Sequence, residues 1–314
     1  MSAPTLVEGV GMHPFGRFEG KSAVAMGAEA LLEALADAEL AWRDVDLLIC
    51  AHMYARTGAG HRVAAILGQT GIPIINIENA CSSGGAAVFT ARHALSSGEY
   101  RRVAVVGIEK MPRGFMDMDY FDSWRRDIGH AVNPAQFAFA IRRHMHDFGT
   151  TERQLALVAE KNHAHSVHNP KAMYQQPITA DEVLASRAVV DPLRLLMLCT
   201  PNEGAAAAVL SAGPARPGQV TIVGQGLRTA RRSQAIGEHM PTASPVTPDE
   251  PVTARAAAEA YAQAGLGPED LDVVELQDTD SGTEIISTEH LGLCPPGQGG
   301  ALVESGATRI GPCR

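Results

Sequence analysis

Aromatic side chains are scarce in this chain: two Trp, five Tyr and eight Phe make up 5% of its 314 residues. Cysteine and net positive charge are in short supply too, and long apolar runs are missing. The five cysteines (Cys50, Cys81, Cys199, Cys294, Cys313) lie far apart and form neither a CxxC pair nor a zinc-ligand spacing. That pattern argues against a disulfide framework and against a bound metal. An odd number of separate thiols reads instead as a reduced, cytoplasmic protein. Lys and Arg number 26 against 35 Asp and Glu, a net charge of −9. Nucleic acid is therefore not expected as the main partner, since phosphate binding needs a positive face. The pairs Arg101-Arg102, Arg125-Arg126 and Arg142-Arg143 read as solvated surface. No apolar stretch reaches the roughly 20 residues needed to span a bilayer. The opening MSAPTLVEGVGMHPFG has no basic segment and no apolar run, so no signal peptide is visible.

Ala, Gly and Val are abundant, a mix that suits close helix-on-sheet packing in an α/β protein. Residues 5–10 form a candidate first strand. A helix is expected over 22–40, capped by Ser22, with Val24, Ala28, Leu31, Leu32, Leu35 and Ala36 as its apolar stripe. The continuous run 45–50 (VDLLIC) has the character of a strand covered on both faces. A short helix over 60–67 follows, then a second buried strand over 72–77 whose Pro73 places its start at an edge. A small-residue helix over 82–95 and a strand over 103–108 complete a βαβαβ alternation. That alternation implies a mainly parallel sheet with helices on both faces.

Residues 111–194 break the rhythm and read as an inserted subdomain with helices over 134–146 and 152–165. Strands are expected again over 204–210 and 220–223, and residues 231–252 form a joining loop. A helix over 253–264, a strand over 273–276 and a helix over 281–290 follow. Ser281 and Glu284 make a capping-box pattern at the start of that last helix. The halves are thus 1–230, including the insertion, and 231–314, the second being incomplete as a doubly wound layer.

Cys81 is the residue of most chemical interest, because it lies where a strand turns into a helix. A helix N-terminus offers partial positive charge and free N–H groups, which favour a thiolate and stabilise an oxyanion on an attacked carbonyl. Gly84 and Gly85 leave room for a substrate arm, and the carboxyl end of a parallel strand is where open α/β sheets place ligands. The plainer reading is a small buried residue, as free cysteines usually are, with Ser82 or Ser83 capping the helix. Glycines 9, 11 and 16 after the first strand miss the G-x-G-x-x-G spacing and support nucleotide binding only weakly.

The segment ENACSSGGAAVFTARHALSSGEYRRVAVVGIEKM resembles the nucleophile segment of thiolases, with Cys after Asn-Ala and a strand ending Gly-x-Glu-Lys-Met. FGTTERQLALVAEKNHAHSVHNPKAMYQQPIT is similar to the lipid-transfer (sterol-carrier-protein-x) branch, as are VLASRAVVDPLRLLMLCTPNEGAAAAVL and HLGLCPPGQGGALVESGAT. The resemblance implies the layered α-β-α-β-α thiolase fold with Cys81 as nucleophile toward an acyl-CoA thioester. Asn79, Gly84, Gly85, His163 and Asp278 are then substrate-binding positions. It also implies a homodimer pairing through the 72–77 strand, and a small zinc-ribbon/OB-fold partner protein. No cofactor is implied beyond the coenzyme A thioester used as substrate.

Two departures stand out. Where such thiolases carry His-Asp-x-Phe or Asn-Glu-x-Phe, this sequence has Gln277-Asp278-Thr279-Asp280. Gln277 can donate from its amide to an oxyanion but cannot act as a base. Asp278 and Asp280 invite a paired-carboxylate reading; the alternative is that Asp280 or Ser281 caps the next helix while backbone amides hold Asp278. The family's Gly-His-Pro-x-Gly segment and second cysteine are expected beyond Arg314, and neither Cys294 nor Cys313 matches that cysteine. His163/His165 and His144/His146 are spaced i, i+2 and suit substrate-loop or packing roles better than a metal. His52, just after the VDLLIC strand, is a candidate base. Two functions follow: a thiolase-like acyltransferase, or a half-competent subunit that binds acyl-CoA and supports a partner enzyme.

Overall fold

A computed structural model describes residues 4–114, 123–229 and 250–311 of the protein. In chain order its first elements are β1 (Thr5–Gly16), α1 (Ala23–Asp37), β2 (Leu47–Ala51), α2 (Ala59–Leu67), β3 (Ile74–Ile77), α3 (Ser83–Ser96) and β4 (Arg102–Lys110). Next come α4 (Ser123–Asp127), α5 (Asn133–Phe148), α6 (Glu152–Ser166), α7 (Ala180–Ala185), β5 (Ala188–Val190) and β6 (Leu193–Arg194). The last are β7 (Glu203–Ala212), β8 (Thr221–Ile222), α8 (Val252–Ala264), α9 (Ser281–His290) and α10 (Gly299–Glu304).

The chain divides into two compact units. The first takes Met1–Pro112, Lys171–Met173 and Asn202–Leu227. Its six-stranded sheet has the order β3-β2-β4-β7-β1-β8. Strand β2 pairs in parallel with β3 and β4, while β7 is antiparallel to both β4 and β1, and β8 to β1. It follows that β1 to β4 share one direction and β7 and β8 oppose it, the mainly parallel α/β sheet the alternation implied. Along β2, Leu48 and Cys50 enter the core beneath α1 and α2, and Leu47, Ile49 and Ala51 the core beneath α3. That two-sided burial is why VDLLIC is apolar at every strand position.

Ser22 caps α1 as expected, its Oγ accepting from Ala25 N–H at 3.1 Å. The helix face is turned from the expected stripe: Leu32 and Ala36 are exposed, whereas Met26, Ala30 and Ala34 are buried. Glycines of β1 explain the difference. A Cβ on Gly11 would lie 2.1 Å from Ala30 O and one on Gly9 2.4 Å from Ala34 O, so backbone meets backbone along the Ala30–Ala34 ridge. These glycines serve packing, not a phosphate. The strand over 72–77 is not buried in this chain either. It forms the edge strand β3, with Ile75 and Asn76 exposed, because only one side of it has a partner among the described residues.

The second unit takes Arg113–Pro170, Tyr174–Pro201 and Arg228–Arg314. Most of the 111–194 insertion therefore clusters with the C-terminal helices. Its core joins Ala138 and Ile141 of α5, Leu155 and Val158 of α6, Val183 of α7, Ile285 of α9 and Val303 of α10. Helix α8 contributes no fully buried residue. The strand expected over 273–276 does not form. A strand exists only as a paired element, no described segment pairs with this one, and Val273 is 76% exposed. The joining loop expected over 231–252 lies almost entirely outside the described residues, as does Cys313.

Candidate active site

Cys81 follows β3 by four residues and directly precedes the N-cap of α3, and its side chain is exposed. The turn is built by Ser83. Its Oγ accepts from Asn79 N–H at 2.8 Å and donates to Ala80 O at 2.7 Å, with His52 O at 3.3 Å on the other side. Ser82 occupies the N-cap position without a side-chain cap bond, so the expected serine cap is replaced by this staple. Ala80 is held at φ +46°, a left-handed conformation that costs an L-residue about 1–2 kcal/mol. The strain is localised on the residue that sets the direction of Cys81.

Asn79, Gly84 and Gly85 are exposed beside Cys81. A Cβ on Gly84 or Gly85 would meet nothing within 4 Å, so this chain's own packing does not require glycine there. The amides of Ser82, Ser83 and Ala86 are bonded to Asn79 O, Ala80 O and Ser82 O, while no described acceptor meets those of Gly84 and Gly85. Two open, donor-bearing residues at a helix start suit a carbonyl oxygen that gains negative charge. Glu109 of β4, which the sequence did not single out, accepts from Met53 N–H at 2.9 Å and Tyr54 N–H at 3.0 Å. It thereby fixes the loop after β2, beside the same turn.

The remaining thiols differ sharply. Cys50 is buried within β2, and burial pushes its thiol up to about 12, so it is inert at neutral pH. Cys294 is half-buried, and desolvation, then the Glu289 charge, raises its pKa.

In the second unit, Asp280 caps α9, its Oδ1 accepting from Thr283 N–H at 2.8 Å and its Oδ2 from Thr283 Oγ1 at 2.6 Å. The cap is Asp280, not the expected Ser281, and Glu284 does not close a capping box. Glu284 is buried and paired with the buried Lys161 of α6. Asn162 bridges the carboxylates, its Nδ2 lying 2.9 Å from Asp278 Oδ2 and 2.9 Å from Glu284 Oε2. Asp278 is thus held largely by a side-chain amide. Burial, and then the Glu284 charge, push its carboxyl up to about 6. Asp278 and Asp280 consequently have separate duties and do not act as a pair. Gln277 is exposed. His163 is half-buried on α6, its Nδ1 3.0 Å from Gln176 O and its ring stacked on Tyr174. His144 packs between Glu289 and Thr150. Among the described residues, no three His, Cys, Asp or Glu side chains are grouped to hold a metal ion.

Comparison with known proteins follows the same division. A family model described as Thiolase, N-terminal domain matches residues 6–213, and one described as Thiolase C-terminal domain-like matches residues 237–313. The chain belongs to the thiolase family. Among this thiolase's relatives is a sterol carrier protein 2 from Bos taurus, 36% identical over 97% of this chain and 60% of its own length. An acetyl-CoA acetyltransferase from Methanothermobacter thermautotrophicus is 34% identical over 97% of this chain and 81% of its own length. A solved structure named Ltp2-ChsH2(DUF35) aldolase has a TM-score of 0.83 and 27% identity, covering 96% of this chain and 80% of its own. This thiolase thus spans about 60% of the length of the sterol carrier protein 2 relatives it matches.

Proposed function

We propose that Cys81 accepts an acyl group from a coenzyme A thioester and that this transfer is linked to forming or cleaving a carbon–carbon bond beside the thioester. The observation that carries the reading is the exposed Cys81 on a strained, serine-stapled turn, with the open amides of Gly84 and Gly85 next to it. Attack of the Cys81 sulfur on the thioester carbonyl forms an S–C bond. Collapse of the tetrahedral oxyanion breaks the bond to the coenzyme A sulfur, which leaves and takes up a proton. The substrate class we assign is a 3-oxoacyl-CoA-type lipid or steroid side chain, supported by relatives bearing the names sterol carrier protein 2 and acetyl-CoA acetyltransferase. Asn79, Gly84, Gly85, His163 and Asp278 are assigned to substrate binding, and the Gln277 amide to an oxyanion.

The same reading places the protein in the cytoplasm; among the described residues no helix is long and apolar enough to cross a membrane. It makes β3 the pairing edge of a homodimer, for which the exposed Ile75 and Asn76 are the support. It also gives the chain a small zinc-ribbon/OB-fold partner; the name Ltp2-ChsH2(DUF35) aldolase, which joins two proteins, motivates that assignment. Mixing the protein with acetyl-CoA tests the chemistry: one equivalent of free coenzyme A per chain is expected from wild type and none from Cys81→Ala. Equal release from both proteins would refute it.

A second reading is favoured by the unpaired, exposed Val273 and Val274. In it the chain binds acyl-CoA and supports a partner enzyme without turning over alone. Stable acyl-CoA binding with no coenzyme A release would single it out.

A further inference from the structure

His52 stands immediately after β2, at the carboxyl end of the sheet. Its main chain is bonded on both sides of the Cys81 turn: its N–H donates to Ile77 O at 3.1 Å, and its carbonyl faces Ser83 Oγ at 3.3 Å. The next two amides are clamped by Glu109. The backbone of His52 is therefore fixed against the segment that carries Cys81. Its imidazole has a different status. Nδ1 is buried and has no hydrogen-bond partner among the described residues. An unpaired buried polar atom costs about 1–3 kcal/mol, so such atoms mark strain or chemistry. The charged groups on the neighbouring elements are largely committed elsewhere. Glu109 of β4 holds Met53 and Tyr54, and Glu78 of the turn accepts from Ala80 N–H at 2.7 Å. Arg56 stands exposed in the loop that follows.

We infer that the His52 imidazole is the proton acceptor for the Cys81 thiol. The inference rests on the acyl-transfer reading above and names the base that it leaves open. With the proton on Nε2, the Nδ1 lone pair takes the thiol proton, giving an imidazolium and a thiolate. The thiolate attacks the thioester carbonyl. As the oxyanion collapses, the leaving coenzyme A sulfur takes the proton back from the imidazolium. The sum is thiol plus acyl-CoA giving acyl-Cys81 plus coenzyme A, with His52 returned to its neutral form. Glu109 is a positioning residue for the loop on which His52 begins.

The test compares wild type with His52→Gln and His52→Asn, each checked for an unchanged melting temperature, in two readouts at Cys81 resolved by peptide mapping. Acylation by acetyl-CoA at pH 7 is expected to fall about 100-fold or more in both variants. Iodoacetamide alkylation, which needs no thioester, is expected to lose its titration step in the imidazole range and follow an ordinary thiol near about 8.5. Added imidazole should restore acylation in His52→Ala. Variants that keep the wild-type acylation rate and alkylation profile would overturn the inference. If acetyl-CoA leaves wild type unmodified, the alkylation profile still decides: a step lost in the variants supports the His52–Cys81 pair and sinks only the acyl-transfer reading. A profile with no such step in any protein sinks the pair.

Discussion

Ser83 Oγ accepts from Asn79 N–H at 2.8 Å and donates to Ala80 O at 2.7 Å, so one buried hydroxyl closes the turn that presents Cys81. Ser83→Ala removes both bonds at once. The expected loss of stability is about 1–3 kcal/mol, read by urea unfolding, and iodoacetamide alkylation of Cys81 should slow as the turn loosens. An unchanged alkylation rate would mean that Ser83 supports the fold and not the thiol.

Gly84 separates stability from function. It lies in α3, and a methyl group there meets no atom of this chain. Replacing glycine by alanine inside a helix stabilises by about 0.5–1 kcal/mol, so Gly84→Ala should melt slightly higher than wild type. It should also acylate about tenfold or more slowly, because misplacing the thioester is costly. A variant both more stable and fully active would remove Gly84 from the binding surface.

Gly11→Ala acts the opposite way. Its Cβ would lie 2.1 Å from Ala30 O, where backbone cannot retreat. A loss of about 2–3 kcal/mol or a failure to fold is expected, measured by chemical denaturation. Wild-type stability would show that α1 does not sit on β1 as described.

Asp278 gives a dependence on pH with a definite sign. Its folded-state pKa, pushed up to about 6, lies above its ordinary value near 4, so the folded protein holds a proton there that the unfolded chain gives up. Ionisation of Asp278 therefore destabilises the fold above pH 6, and the penalty fades as pH falls from 6 to 4. Asp278→Asn should stabilise by about 1 kcal/mol at pH 7.5, allowing for partial solvent screening, and by nothing at pH 4. Equal shifts at both values, in parallel melts, would assign the effect to packing.

The Lys161–Glu284 pair is buried on both sides. Lys161→Met alone strands the Glu284 carboxylate and should cost about 3–5 kcal/mol. The double variant Lys161→Met, Glu284→Leu should cost less than the single one, and a double-mutant cycle measures the difference. Additive losses would mean that the two charges do not depend on each other.

Local patterns carried most of this fold. VDLLIC is apolar throughout because both faces of β2 are covered, and Cys81 stands out because a strand, a turn and a small-residue helix meet there. Features set by distant contacts were hidden. The buried face of α1 depends on Gly9 and Gly11 of another element, so Leu32 looked like core and is exposed. Val273 and Val274 have strand propensity, but propensity does not supply a neighbour. Asp278 and Asn162 are 116 residues apart, and nothing in either neighbourhood announces their bond. Glu284 looked like a capping residue because the spacing from Ser281 was right; Asp280, one residue earlier, made the cap instead.

The measurement that bears most directly on the central claim is intact-protein mass spectrometry after exposure to short and long acyl-CoAs, with Cys81→Ala alongside. The account predicts a gain of one acyl group on wild type, mapped to Cys81 and missing from the variant. A folded wild-type protein that gains no mass, or gains it equally in Cys81→Ala, would contradict it.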